Sequence, residues 1–125
     1  VFWKNEDRLL FRTQIRADEG RRSISYRTLG RLGDRLLAVN RDGTQLAGVL
    51  NESRSSALAG AFNLGEIASF LPKDPEQVLM YISGWNGRSL FKVNVLTGVG
   101  TVVERPLERV WGWWLDVEGT PLVRV

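Results

Sequence analysis

Leu36-Leu37-Ala38-Val39-Asn40-Arg41-Asp42-Gly43 is answered further along the chain by Leu90-Phe91-Lys92-Val93-Asn94-Val95-Leu96-Thr97-Gly98. Each is a short apolar, β-forming run that carries an Asn and then breaks at Gly. The two Asn residues lie 54 positions apart (94 − 40), and Leu36 with Leu90 and Gly33 with Gly87 keep that offset. A strand-turn unit returning at such an interval predicts a β-repeat architecture. The Asp-Gly and Thr-Gly steps supply the positive φ that tight hairpin turns need.

Working outward, a second match precedes each copy. Phe70-Leu71-Pro72-Lys73-Asp74-Pro75-Glu76-Gln77-Val78-Leu79-Met80 resembles Phe2-Trp3-Lys4-Asn5-Glu6-Asp7-Arg8-Leu9-Leu10-Phe11 with one residue inserted. The order strand, polar turn, strand, loop, strand with Asn, Gly turn, strand therefore occurs twice. About nine short strands are expected, among them Leu9–Ile15, Thr44–Leu50, Glu66–Leu71, Val78–Ser83, Val99–Glu104 and Val110–Val117. Short connections make them antiparallel. Asn51 to Gly65, rich in Ser, Ala and Gly, reads as a loop with at most one helical turn at Ala57–Phe62.

The fold class is thus all-β. Pattern alone leaves sandwich, barrel and propeller open. The repeat favours a partial β-propeller of antiparallel four-stranded blades, since a blade takes four strands and about 50 residues. One unit spans about residues 1–55 and a second about 66–110; 111–125 begins a third or closes the second. Val1-Phe2-Trp3 and Leu122-Val123-Arg124-Val125 both read as strand interiors, so the chain is expected to be a piece of a longer one. Two blades taken from a ring leave a bare face and open edges, which predicts self-association.

Composition narrows the chemistry. The 125 residues contain neither His nor Cys. A Ser-His-Asp or Cys-His site is impossible from this chain alone, as are histidine or thiolate metal sites and disulfides. No cofactor or metal is expected. No apolar run reaches membrane-spanning length, and no signal-peptide pattern is present, which leaves cytoplasm and periplasm equally open. The net charge of +3 comes from Arg16, Arg21, Arg22, Arg27, Arg31 and Arg35, interspersed with Asp18, Glu19 and Asp34. That mixture reads as a solvated loop and strand edge rather than a nucleic-acid surface.

Several constellations dissolve on inspection. Asp42-Gly43 lacks the further acids of a calcium loop. Gly30-Arg31-Leu32-Gly33-Asp34 lacks the Lys-Ser/Thr of a phosphate loop. Glu104 with Glu108, or Asp116 with Glu118, are acids near turns, better read as solvated than as a glycosidase pair. Trp111-Gly112-Trp113-Trp114 reads as core filler, with Trp111 and Trp113 on one strand face and Trp114 on the other. Trp85, in the Gly-flanked turn Gly84-Trp85-Asn86-Gly87, is the aromatic best placed to touch a ligand.

Phe70 to Leu79, Leu90 to Gly98 and Trp114-Leu115-Asp116-Val117-Glu118-Gly119 together resemble the N-terminal β-propeller of bacterial prolyl-oligopeptidase-family (S9) serine peptidases, of the dipeptidyl- and acylaminoacyl-peptidase-like kind. The resemblance covers about Val1 to Arg16 and Leu29 to Val125. It implies a non-catalytic propeller that restricts peptide access to a C-terminal α/β-hydrolase domain elsewhere in the parent chain. No Gly-x-Ser-x-Gly elbow is present, so no triad position carries over. On this reading Arg21 and Arg22, in the Arg16–Arg27 insertion, are placed to meet a peptide. The alternative is a stand-alone β-repeat module that binds protein or carbohydrate.

Overall fold

The computed structural model describes residues 1–16, 32–50, 61–84 and 87–125. Among them are ten strands: β1 (Phe2–Trp3), β2 (Arg8–Arg16), β3 (Leu32–Asn40), β4 (Ala47–Gly48), β5 (Ala61–Ser69), β6 (Gln77–Gly84), β7 (Gly87–Asn94), β8 (Gly100–Glu104), β9 (Trp113–Leu115) and β10 (Pro121–Arg124). No described residue is helical, so the all-β class holds.

The strands form two antiparallel four-stranded meanders. In the first unit β1 pairs with β2, β2 with β3 and β3 with β4. In the second, β5 pairs with β6, β6 with β7 and β7 with β8. The registers correspond. Arg8 faces Asn40 in the first unit and Gln77 faces Asn94 in the second, so Leu9 is equivalent to Val78 and Val39 to Val93. A hairpin, β9 with β10, forms a separate two-stranded sheet.

Three local expectations need correction. The segment read as a loop up to Gly65 is strand from Ala61 onward, because β6 offers an edge that β5 covers, with register shifts between Ala61 and Asn63, Asn63 and Glu66, and Ile67 and Ser69. Pairing is not wholly antiparallel, since Asp34 and Arg35 of β3 run parallel to Asn63 and Leu64 of β5 and join the two meanders edge to edge. The aromatic segment is strand only over Trp113–Leu115. Trp113 is buried, but Trp111, ahead of the strand, is 78% exposed and outside the core.

Side chains alternate across each strand, so every unit has two faces. On β2 and β3 one face carries Leu10, Leu36 and Ala38; on β6 and β7 one carries Val78, Met80, Ile82, Phe91 and Val93. These two sets, with Val49, Leu50 and Val95, make the main core. The opposite face of the second unit carries Leu79, Tyr81 and Leu90, which pack against Trp113 and Leu115 of β9. The second unit of the eight-stranded sheet is therefore covered on both sides, by the first unit on one face and by the hairpin on the other.

Polar groups tie the same junctions. Arg8 is buried and donates from Nε and Nη2 to the Val95 carbonyl (3.1 and 2.7 Å), and from Nη1 to Asn40 Oδ1 (2.9 Å) and the Gln45 carbonyl (2.7 Å). Lys4 Nζ donates to the carbonyls of Phe70 and Leu71. Arg88 lies 4.7 Å from the Tyr81 ring centroid and pairs with Glu66 at 2.8 Å, while Tyr81 stacks on Trp113 and donates to its carbonyl.

Candidate functional site

Turns at one end of the sheets build the concave surfaces, and their sequences explain why. In each, an Asx oxygen accepts from backbone N–H groups that the reversal would strand. Asn5 Oδ1 accepts from Asp7 and Arg8, Asp74 from Glu76, Asn94 from Leu96 and Thr97, and Asp116 from Glu118 and Thr120. Asp42 Oδ1 accepts from the Thr44 hydroxyl (2.5 Å) and amide (2.9 Å).

The turn after β1 and the turn after β3 meet through the Arg41 amide, which donates to the Asp7 carbonyl at 2.8 Å. Two adjoining recesses result. One, of 750 Å³, is lined by Trp3, Asn5, Glu6 and Arg41. The other, of 530 Å³, is lined by Asp7, Asn40, Arg41 and Asp42. Trp3 is 57% exposed and shares its recess with the Arg41 guanidinium and the Glu6 carboxylate. A smaller recess of 170 Å³ lies between the second unit and the hairpin, lined by Leu71, Lys73, Asp74, Lys92, Val117 and Glu118. Lys73 and Glu118 approach to 3.6 Å across it.

Two groups near the larger recesses have shifted pKa values. The Thr44 hydroxyl and then its amide hold the Asp42 carboxyl below the usual carboxylate range. A group so held is an acceptor at neutral pH and a poor proton donor. Lys4, beneath the same turns, has its pKa lowered by burial, an effect that Asp74 opposes. No three metal-ligating groups converge among the described residues. The described lining thus offers an indole, a guanidinium, amide groups and carboxylates, and no imidazole or thiol, since the sequence has neither.

The residues singled out from sequence, Trp85, Arg21 and Arg22, lie outside the described residues, as does most of Arg16–Arg27. Trp3 was not singled out, although an aromatic directly before a polar turn was a usable signal. Arg8, at the end of the polar turn Lys4-Asn5-Glu6-Asp7-Arg8 expected between the first two strands, is 1% exposed. Its only sequence signal is its place at the head of the apolar run Leu9-Leu10-Phe11.

Comparison with family models, with curated proteins and with solved structures finds no match to this chain.

Proposed function

We propose that the chain is a segment of a β-propeller whose role is to shape and restrict peptide access to an α/β-hydrolase domain, as in serine peptidases of the prolyl-oligopeptidase type. One observation carries the architectural half. A sandwich buries only the inner face of each sheet. Here the four-stranded second unit is covered on both faces. Propellers stack four-stranded sheets in that manner around an axis. The functional half rests on the resemblance set out above and on a residue inventory suited to binding and exclusion rather than hydrolysis.

The test has two arms. The reading frame encoding the chain is expected to continue into an α/β-hydrolase with a Gly-x-Ser-x-Gly elbow; a frame without one overturns the peptidase reading. In that parent enzyme, deleting residues 16–27 should leave folding intact and change relative kcat/KM among short peptides. Unchanged kinetics would remove the segment from substrate selection.

A stand-alone binding module is the second reading, favoured by the exposed indole of Trp3 between Glu6 and Arg41. Aromatic planes with polar neighbours bind sugars and peptides. Titration with oligosaccharides and short peptides, followed by tryptophan fluorescence in wild type and Trp3→Ala, separates the two. A response that Trp3→Ala abolishes, in a chain with no hydrolase attached, supports the module.

A further inference from the structure

Asp42 is the one Asp in the sequence that Gly follows; Arg, Glu, Pro or Val follows each of the others. That neighbour matters chemically. The backbone nitrogen of the next residue can attack an aspartyl side chain, and Gly, with no Cβ, leaves that nitrogen open to approach. The Gly43 nitrogen would bond to the Asp42 Cγ and give up its proton, and the carboxyl would give up an oxygen, so that water leaves and a succinimide ring remains. Water then adds back. Attack at Cγ restores aspartate. Attack at the Asp42 main-chain carbonyl breaks the original peptide bond and leaves the chain running through the side-chain carbonyl, as isoaspartate. The water lost is regained, so mass is unchanged.

The turn holds both reacting groups off this course. The Gly43 N–H donates to the Asn40 carbonyl at 2.8 Å. The Asp42 carboxyl accepts instead from the Thr44 hydroxyl (2.5 Å) and the Thr44 amide (2.9 Å), one residue beyond the attacking nitrogen. Thr44 is itself fixed, since its hydroxyl accepts from Asn40 Nδ2 at 3.2 Å and its carbonyl from the Asn40 amide at 2.9 Å. The same hydroxyl keeps the carboxyl ionised at neutral pH, and a carboxylate is a poor electrophile. Packing adds nothing among the described residues. Residues Arg41 to Thr44 are exposed, and a Cβ at Gly43 would meet no atom within 4 Å.

We infer that Asp42 is a latent isoaspartate-forming site, locked in the folded turn by Thr44, whose hydroxyl and amide hold the carboxyl away from the Gly43 nitrogen. Conversion adds a carbon to the main chain of the turn that lines the recess of Asp7, Asn40, Arg41 and Asp42, so it reshapes that recess. The other Asp-centred reversals lack the reactive pairing. Asp74 precedes Pro75, which has no N–H, and Asp116 precedes the β-branched Val117. Neither the peptidase reading nor the binding-module reading is needed for this chemistry.

The experiment is a time course on the intact chain at neutral pH, with isoaspartate located by peptide mapping and counted by enzymatic methyl transfer to its free carboxylate. Deamidation at Asn86-Gly87 raises the mass and isomerisation at Asp42 does not, so mapping separates the two. The folded wild type is expected to convert at Asp42 at least about tenfold more slowly than the same chain in urea, since a hydrogen bond to a charged group is worth about tenfold in an opening equilibrium. Thr44→Val and Thr44→Ala, at an exposed position and checked for folding by circular dichroism, should speed conversion of the folded chain about tenfold. Thr44→Ser, which keeps the hydroxyl, should match wild type. In urea all four chains should convert alike. Wild type that converts as fast folded as in urea overturns the lock, a comparison that needs no variant. So do folded Thr44→Val and Thr44→Ala chains no faster than wild type, or faster by the same factor in urea.

Discussion

At the scale of the residue, Arg8 and Gly98 hold the two units together. Arg8 sits on the same side of the first unit as Leu10 and Ala38 and reaches the Val95 carbonyl of the second, with no carboxylate among its hydrogen-bond partners. Three acceptors on two units share one planar donor fork, a geometry that an ammonium cannot reproduce. Arg8→Ala strands the buried Val95 carbonyl and removes the donor from the part-buried Asn40 and Gln45 oxygens, and the expected loss is about 2–4 kcal/mol in urea unfolding. Arg8→Lys should recover less than half of it; full recovery would show that charge and not geometry matters. Gly98 has φ +78°, and a Cβ there would lie 2.3 Å from the Gly48 carbonyl oxygen. Its own carbonyl accepts from the Leu50 amide at 2.8 Å, so this turn docks on the first unit. Gly43 shares the positive φ but has open space around it. Gly43→Ala should cost about 1 kcal/mol for backbone conformation alone. Gly98→Ala should cost about 2 kcal/mol more, because backbone must move. Equal losses at the two positions would mean the contact yields without penalty.

At the scale of the element, hairpins with Asx acceptors set the register, and two of those acceptors, Asp42 and Asp116, have lowered pKa values. The Thr44 hydroxyl and amide lower the Asp42 pKa, and the Thr120 amide foremost lowers that of Asp116. A carboxyl depressed in the folded state contributes stability above its ordinary pKa, and the contribution is lost as pH falls through the folded value. Asp116→Ala is therefore expected to lower Tm at neutral pH, and its gap from wild type should narrow on acidification below the ordinary carboxylate range. Asp116→Asn, which keeps an acceptor oxygen, should fall between the two at neutral pH. A gap that stays constant with pH would separate the turn from its charge. These hairpins were legible in the sequence because their signals are local: Asn40 to Gly43, Asn94 to Gly98 and Asp116 to Gly119 each specify a reversal within five residues or fewer. Strand limits were less legible. β5 begins at Ala61, in a stretch whose Gly and polar residues argue for a loop, and it is strand because the edge of β6 supplies hydrogen-bond partners.

At the scale of the whole molecule, the second unit is covered on one face by the first unit and on the other by the β9–β10 hairpin among the described residues. The 54-residue offset announced two equivalent units because β3 and β7 repeat the same apolar alternation and the same Asn. It did not announce which face meets which. In both units the strands are apolar on both sides, as any strand bound for a doubly covered sheet must be, so alternation cannot assign the faces. The recess beside Trp3 was equally illegible. It arises where the turn 4–8 meets the turn 40–44, a contact between residues far apart in the chain.

What the amino-acid order determined by itself was the all-β class, the twofold strand-turn repeat, the chemistry of each reversal, and the exclusion of histidine- or cysteine-based chemistry. All of these follow from residue type and local spacing. Only the tertiary structure decided that Arg8 is buried, that Trp113 is core while Trp111 and Trp114 are exposed, and that the second unit packs on the first with one face and on the hairpin with the other. Those outcomes depend on which apolar surface finds a partner across the fold. Burial is a property of pairs of surfaces, and no single stretch of sequence carries its own partner.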